Sequence, residues 1–234
     1  MITRKELRAQ RRDERLAREA AQRQRQRTAR LAWAAAAAVV VAALGVGIAA
    51  SLAGGGPAGP AATTGPAVDL AALPGLESTA APWQPEYGSL PVRLAALALP
   101  PNGDESYHIH AHLAVFVDGT PVPVPANVGI SAAAQIESPM HTHDTSGVIH
   151  IEASAPSSAF TLGAFFDIWG VTFDAQQLGS YRDSGGRSVQ VYVNGRQIAD
   201  PTRYVLQPHD EIVVGYGTPG SFPHTVAFAW PQGT

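Results

Sequence analysis

Cysteine is absent from all 234 residues, which removes disulfides, thiolate metal ligands and thiol nucleophiles together. Extracytoplasmic proteins do not require disulfides, so this absence leaves the compartment open. Positive charge is scarce after the N-terminus: beyond residue 30, five arginines stand against fifteen acids, a net of −10. That balance gives no support to contact with nucleic acid. Signatures of several enzyme classes are also missing. There is no H-E-x-x-H pair, no glycine-rich phosphate loop, and no nucleophile–base pairing recognisable from spacing. The cupin pattern, H-x-H with a glutamate a few residues on, is not met, because the next glutamate after His141 and His143 is Glu152.

The positive charge sits at the start. Residues 1–30 carry eleven Lys/Arg against four acids, a net of +7, in a helix-favouring mixture of Ala, Arg, Gln and Glu. Residues 31–53, LAWAAAAAVVVAALGVGIAASLA, hold no charge. At about 1.5 Å per residue, a helix of this length spans a hydrocarbon core of ~30 Å. Basic residues precede the run and none follows until Arg93, so the positive-inside rule predicts a basic cytoplasmic arm and a C-terminal bulk outside. Ser51-Leu52-Ala53 offers a cleaved signal peptide as the alternative, but the apolar run exceeds the roughly 7–15 residues of a signal h-region. The expectation is a single-pass anchor in the cytoplasmic membrane, N-terminus in. Residues 54–85 are rich in Gly, Pro and Ala and read as a linker, with Trp83 and Tyr87 marking where order begins. Residues 86–234 are then an extracytoplasmic domain.

Within that domain, Ser89 before LPVRLAALAL predicts a short helix with Ser89 as N-cap and Pro91 in its first turn. Tyr107–Asp118 alternates as a strand, with Ile109, Ala111, Leu113, Val115 and Val117 on the core side and His108, His110, His112, Ala114 and Phe116 opposite. Asp118-Gly119 and Asn194-Gly195 are hairpin turns, and TPVPVPANVGI is an edge-type strand interrupted by proline. Thr161 caps a helix through Trp169 whose Leu162, Phe165, Phe166 and Trp169 form an apolar stripe, more consistent with core than with a ligand box. Ser188–Val193, Arg196–Ile198, Tyr204–Leu206 and Asp210–Tyr216 supply further strands, and residues 217–234 form a Gly/Pro-broken tail. The expected class is α+β: a small mixed sheet with one packed helix, β-grasp-like by analogy of element order, preceded by the membrane span.

Six of the eight histidines, His108, His110, His112, His141, His143 and His150, fall between Tyr107 and Glu152. Within each H-x-H pair the side chains share one strand face, and imidazole is the commonest ligand of borderline metals. A lone strand histidine is usually just a polar residue on the surface; two such arms in one short stretch are harder to obtain by chance. His108 and His112 stand ~13 Å apart along a strand, too far to share an ion. The expected site is therefore cross-strand: His110 and His112 with His141, His143 or His150. If His143 pairs with Val148 across the Asp144–Gly147 turn, His141 lies opposite His150, and parity puts His141, His143, His150 and Glu152 on one face. Asp104, Asp144 and Glu152 could ligate or orient imidazoles, His209 is a further candidate, and His224 lies in the tail. Imidazole and carboxylate without thiolate suit Cu(II), Zn(II) or Ni(II), and Met140 beside His141 leans towards copper.

YHIHAHLAVFVDG, PVPANVGI, SPMHTHDTSGVIHIEA and FTLGAFFDIWGV together resemble an uncharacterised family of bacterial and archaeal membrane-anchored proteins, over roughly residues 90–216. The resemblance implies that the histidines belong to a family pattern, and supplies no settled activity. VYVNGRQIADPTRYVLQPHDEIVVGYG is similar to the end of β-grasp domains, where glycine often stands at the place of His209.

The sequence thus leads to a membrane-anchored extracytoplasmic metal-binding protein for capture, delivery or sensing of copper or zinc. Its expected partners are the membrane, the ion and another extracytoplasmic protein. A zinc- or copper-dependent enzyme with an open coordination position, and a metal-free interaction module, are the competing classes.

Overall fold

The computed structural model describes residues 73–230; the basic arm, the apolar run and the linker as far as residue 72 lie outside the described residues. Among the described residues, no helix is long and apolar enough to cross a membrane.

The domain is α+β, built on one mixed sheet. Its elements in order are α1 (Leu90–Ala96), β1 (Tyr107–Val117), β2 (Thr120–Val122), β3 (Ile130–Ser131), β4 (Ile136–Glu137), β5 (Met140–His141) and β6 (Val148–Ala153). There follow α2 (Leu162–Trp169), β7 (Gln177–Leu178), β8 (Tyr181–Arg182), β9 (Ser188–Val193), β10 (Arg196–Gln197) and β11 (Glu211–Gly217). The sheet runs β10-β9-β11-β1-β6-β5, with β2 paired to the far half of β1. β1 and β11 are parallel, while the other pairs in the sheet are antiparallel. Both expected two-residue turns form with both central residues at positive φ, at Asp118-Gly119 and Asn194-Gly195. Tyr204–Leu206, expected as a strand, contributes only a single bridge, Val205 to Thr161.

One face of the sheet makes the core. Ala111, Leu113 and Val115 of β1, Ile149 and Ile151 of β6, Val191 and Val193 of β9, and Ile212 and Val214 of β11 all belong to it, together with Leu162, Phe165, Phe166 and Trp169 of α2. The alternation on β1 and the aromatic stripe on α2 therefore meet as expected. Thr161 accepts from the Ala164 amide and caps α2. Ser89 stands at the N-cap of α1 with Pro91 just after it, but makes no side-chain cap bond. The Glu86 carboxylate accepts from the Ser89 amide instead.

The packed helix is not alone, since α1 is also docked, and its Leu90 and Leu94 are fully buried. Residues 73–85, expected as the end of the linker, are packed onto the domain. Trp83 is fully buried edge-on to Trp169, and Glu77 exchanges backbone hydrogen bonds with Gly170 and Thr172. Fully buried Arg93 pairs with Glu86 and donates to the Pro74 carbonyl, tying this segment to α1. Gly/Pro-rich composition marked the segment as linker, and two tryptophans in contact overrule that composition.

The tail is also packed. Phe222 stacks on Phe116 with ring centroids 6.2 Å apart, and with Tyr192 and Val213 it closes a second buried cluster on the opposite sheet face. Gly215 makes room for this: a Cβ there would stand 2.3 Å from the Phe222 ring.

Candidate metal centre

The second face of β1 carries His108, His110 and His112, then Ala114 and Phe116. The tail covers the Phe116 end, and imidazoles from neighbouring strands gather at the other. Two registers do this. β1 pairs with β6 so that His108 faces Glu152 and His110 faces His150. β6 pairs with β5 so that His150 faces His141. His110, His150 and His141 therefore lie side by side across three adjacent strands, and directly opposed residues share a face. The expected opposition of His141 and His150 is observed.

Two groups of donor atoms converge. His141, His143, His150 and Glu152 form one and His108, His110 and His150 the other, with the atoms of each group within 4.8 Å of one another. The first is the set that strand parity selects. His110 Nε2 stands 3.0 Å from His150 Nδ1, and His141 Nε2 3.2 Å from His143 Nε2. Glu152 Oε1 lies 3.1 Å from His108 Nε2, 3.7 Å from His150 Nδ1 and 3.9 Å from His141 Nε2.

The tautomer of His141 follows from its surroundings. Its Nδ1 is 2.9 Å from the Ser138 carbonyl, which can only accept, so Nδ1 carries the proton. Nε2 then presents a lone pair to the cluster, and His143 Nε2 donates to it. A ring oriented through its outer nitrogen is the usual arrangement for a metal-binding imidazole. The ring sits rigidly because Thr142, next in sequence, donates to the Pro125 carbonyl and accepts from the Val128 amide.

Burial also decides protonation. It holds His141 down at about 4, against a partial offset from the Ser138 hydrogen bond. Burial and then the neighbouring His110, His143, His141 and His108 push His150 down to about 3. His110 is lowered first by burial and next by His108. These rings are neutral at neutral pH, the state in which imidazole ligates. Burial raises Glu152, with His108 opposing.

Several expected residues go elsewhere. His112, expected beside His110, donates from Nε2 to the Ser146 carbonyl at 3.1 Å and stacks on Phe228, so it joins neither group. Gly147, at φ +85° with room for no Cβ against the Leu113 carbonyl, brings the turn close enough to make that bond. Asp144 is exposed and accepts from the Ser146 amide, and Asp104 accepts from the Ser106 amide. Met140 is fully buried in the core face, one residue out of phase with His141, and cannot reach the cluster. His209 adopts φ +59°, the left-handed region where glycine is at ease, and its ring stacks on Trp230. Its amide donates to the His110 carbonyl, so it supports β1 through the backbone. His224 stacks on Tyr192.

Two contributors were not anticipated. The Ser138 carbonyl orients His141, and Glu137 Oε1 lies 3.8 Å from His141 Nε2. Glu137 four residues before His141 was a visible signal; a backbone carbonyl leaves none in sequence. Comparison of the chain with protein-family models, with curated proteins and with solved structures finds no match in any of the three.

Proposed function

We propose that the chain is a membrane-anchored, extracytoplasmic protein that binds a divalent transition metal, copper or zinc, for capture, delivery or sensing. The observation that carries the reading is the His141 hydrogen bond to Ser138, which aims a neutral Nε2 lone pair into a group with His143, His150 and Glu152. Three imidazoles and one carboxylate supply the four donors of a closed tetrahedral site, and suit zinc and copper alike. The alternative of a polar face without an ion leaves five imidazoles and a carboxylate crowded together for little return, since partly satisfied polar networks are costly.

The anchor rests on residues 31–53 and the charge before them. The strand order, with β1 central and parallel to β11 and α2 connecting β6 to β9, supports the β-grasp-like reading. The histidine motifs are then a family pattern placed on that sheet, and a second extracytoplasmic protein is the natural recipient in delivery. The test is metal content: the full-length chain is purified and exposed to micromolar copper, zinc and nickel, then compared with H110A and H143A. The expectation is uptake by the wild type and weakened uptake by both variants. No uptake of any of the three by the wild type sinks the proposal.

A further inference from the structure

The two donor groups overlap, and the overlap has a consequence for how an ion is handled. His150 belongs to both. Its neighbours His110 and His141 are its direct partners on β1 and β5, so the two groups are centred roughly one strand spacing apart, ~4.8 Å. Glu152 also spans them, touching His108 at 3.1 Å and standing 3.9 Å from His141. Two dications at that separation would need bridging anions between them. The converging donors include one carboxylate, Glu152; Glu137 is 47% exposed at the edge, and Glu105 and Asp144 reach the cluster through their charge alone. With one carboxylate among the converging donors, the cluster suits one ion at a time.

The groups differ in donor number. Each has one exposed imidazole, His108 or His143, and one buried, His110 or His141. One group offers three donors, which leaves a coordination position for water or for a donor from a partner; the other offers four and closes the shell. An ion exchanges readily where a position is open and is retained where none is.

Resting on the metal-binding reading above, we infer that the cluster holds a single ion in two successive positions. The ion is taken up at His108, His110 and His150 and settles at His141, His143, His150 and Glu152. His150 is the pivot, remaining bound while its companions change. Glu152 leaves its contact with His108 as it enters the four-donor shell, which frees His108 to meet the partner. This makes the three-histidine group the exchange position, and the face bearing His108 the side from which a partner protein presents or removes the metal.

The test uses the full-length chain, stripped of metal, with Zn(II) and Cu(II) in separate titrations, followed by the rate of ion release to a chelating dye. The wild type is expected to bind one ion per chain. H108A is expected to slow loading and release about tenfold with a smaller loss of affinity, whereas H143A weakens affinity about a hundredfold and releases faster. His108 is 43% exposed at its side chain, so H108A does not threaten the core. Two ions per chain, or H108A exchanging at the wild-type rate, overturns the succession and leaves the metal reading standing. Uptake of neither ion by the wild type removes both.

Discussion

The two ends of β1 present the same alternation to the same face and solve burial in opposite ways. At the Phe116 end, Phe222 from the tail stacks on Phe116 and closes an apolar cluster with Tyr192 and Val213. At the His110 end, the face is filled by imidazoles from β1, β5 and β6, with His110 and His141 buried. His112 lies at the boundary, stacked on Phe228 and bonded to Ser146. The aromatic end gains stability from removing apolar area from water. The histidine end gains little that way, because each ring brings a polar atom needing a partner. A polar cluster retained beside a ready apolar solution is what the proposed metal site would require.

The largest expected effect breaks the aromatic end. Phe222→Ala is expected to cost about 3–5 kcal/mol, read from the chemical denaturation midpoint, because it empties a buried site that the tail depends on. If the two ends are separate in function, metal affinity of the folded variant changes little; a large loss there would mean the tail shapes the histidine end too.

Acid breaks the other end. His141 and His150 have folded-state pKa values below the ordinary histidine value of 6.5, at about 4 and about 3. For such groups the unfolded chain takes up protons first, so their contribution is present above about 6.5 and is lost as pH falls through the folded values. Stability of the metal-free protein is expected to fall on the order of 3 kcal/mol between pH 6.5 and 4. The decline in Tm over that window should flatten in His141→Gln, and an unchanged slope would count against neutral burial of these rings.

Metal sharpens the contrast. A zinc concentration of about 100 times Kd should add about 2.7 kcal/mol to the wild type, a gain reversed by chelator and absent from His150→Ala. Differential scanning calorimetry with and without zinc checks this. The smallest effect concerns His209. Because it sits at φ +59°, His209→Gly is expected to change stability by less than about 1 kcal/mol. It should leave zinc affinity unchanged, whereas a marked loss of affinity would bring the His209 ring into the site.

Local patterns were legible where the cause is local. Period-two alternation assigned the faces of β1, Asn194-Gly195 and Asp118-Gly119 marked tight turns, and Thr161 marked the start of α2. The group His141, His143, His150 and Glu152 followed from parity across one short turn. His112 was misplaced because its partner, the Ser146 carbonyl, arrives only when Gly147 lets the turn lie against β1. Residues 73–82 read as linker and the tail as Gly/Pro-broken for one reason: Gly and Pro content reports the lack of regular structure, which is compatible with the close packing that both segments show.

By itself, the sequence determined which side chains share a face, because that depends on strand geometry over a few residues, and it determined that no thiol takes part. Which strands distant in sequence become neighbours was decided by the tertiary structure alone. The parallel pairing of β1 with β11, the β1–β6 register that sets His110 against His150, and the burial that keeps His141 neutral all arise from contacts between distant segments. The histidines were visible as a pattern, and their convergence required the sheet.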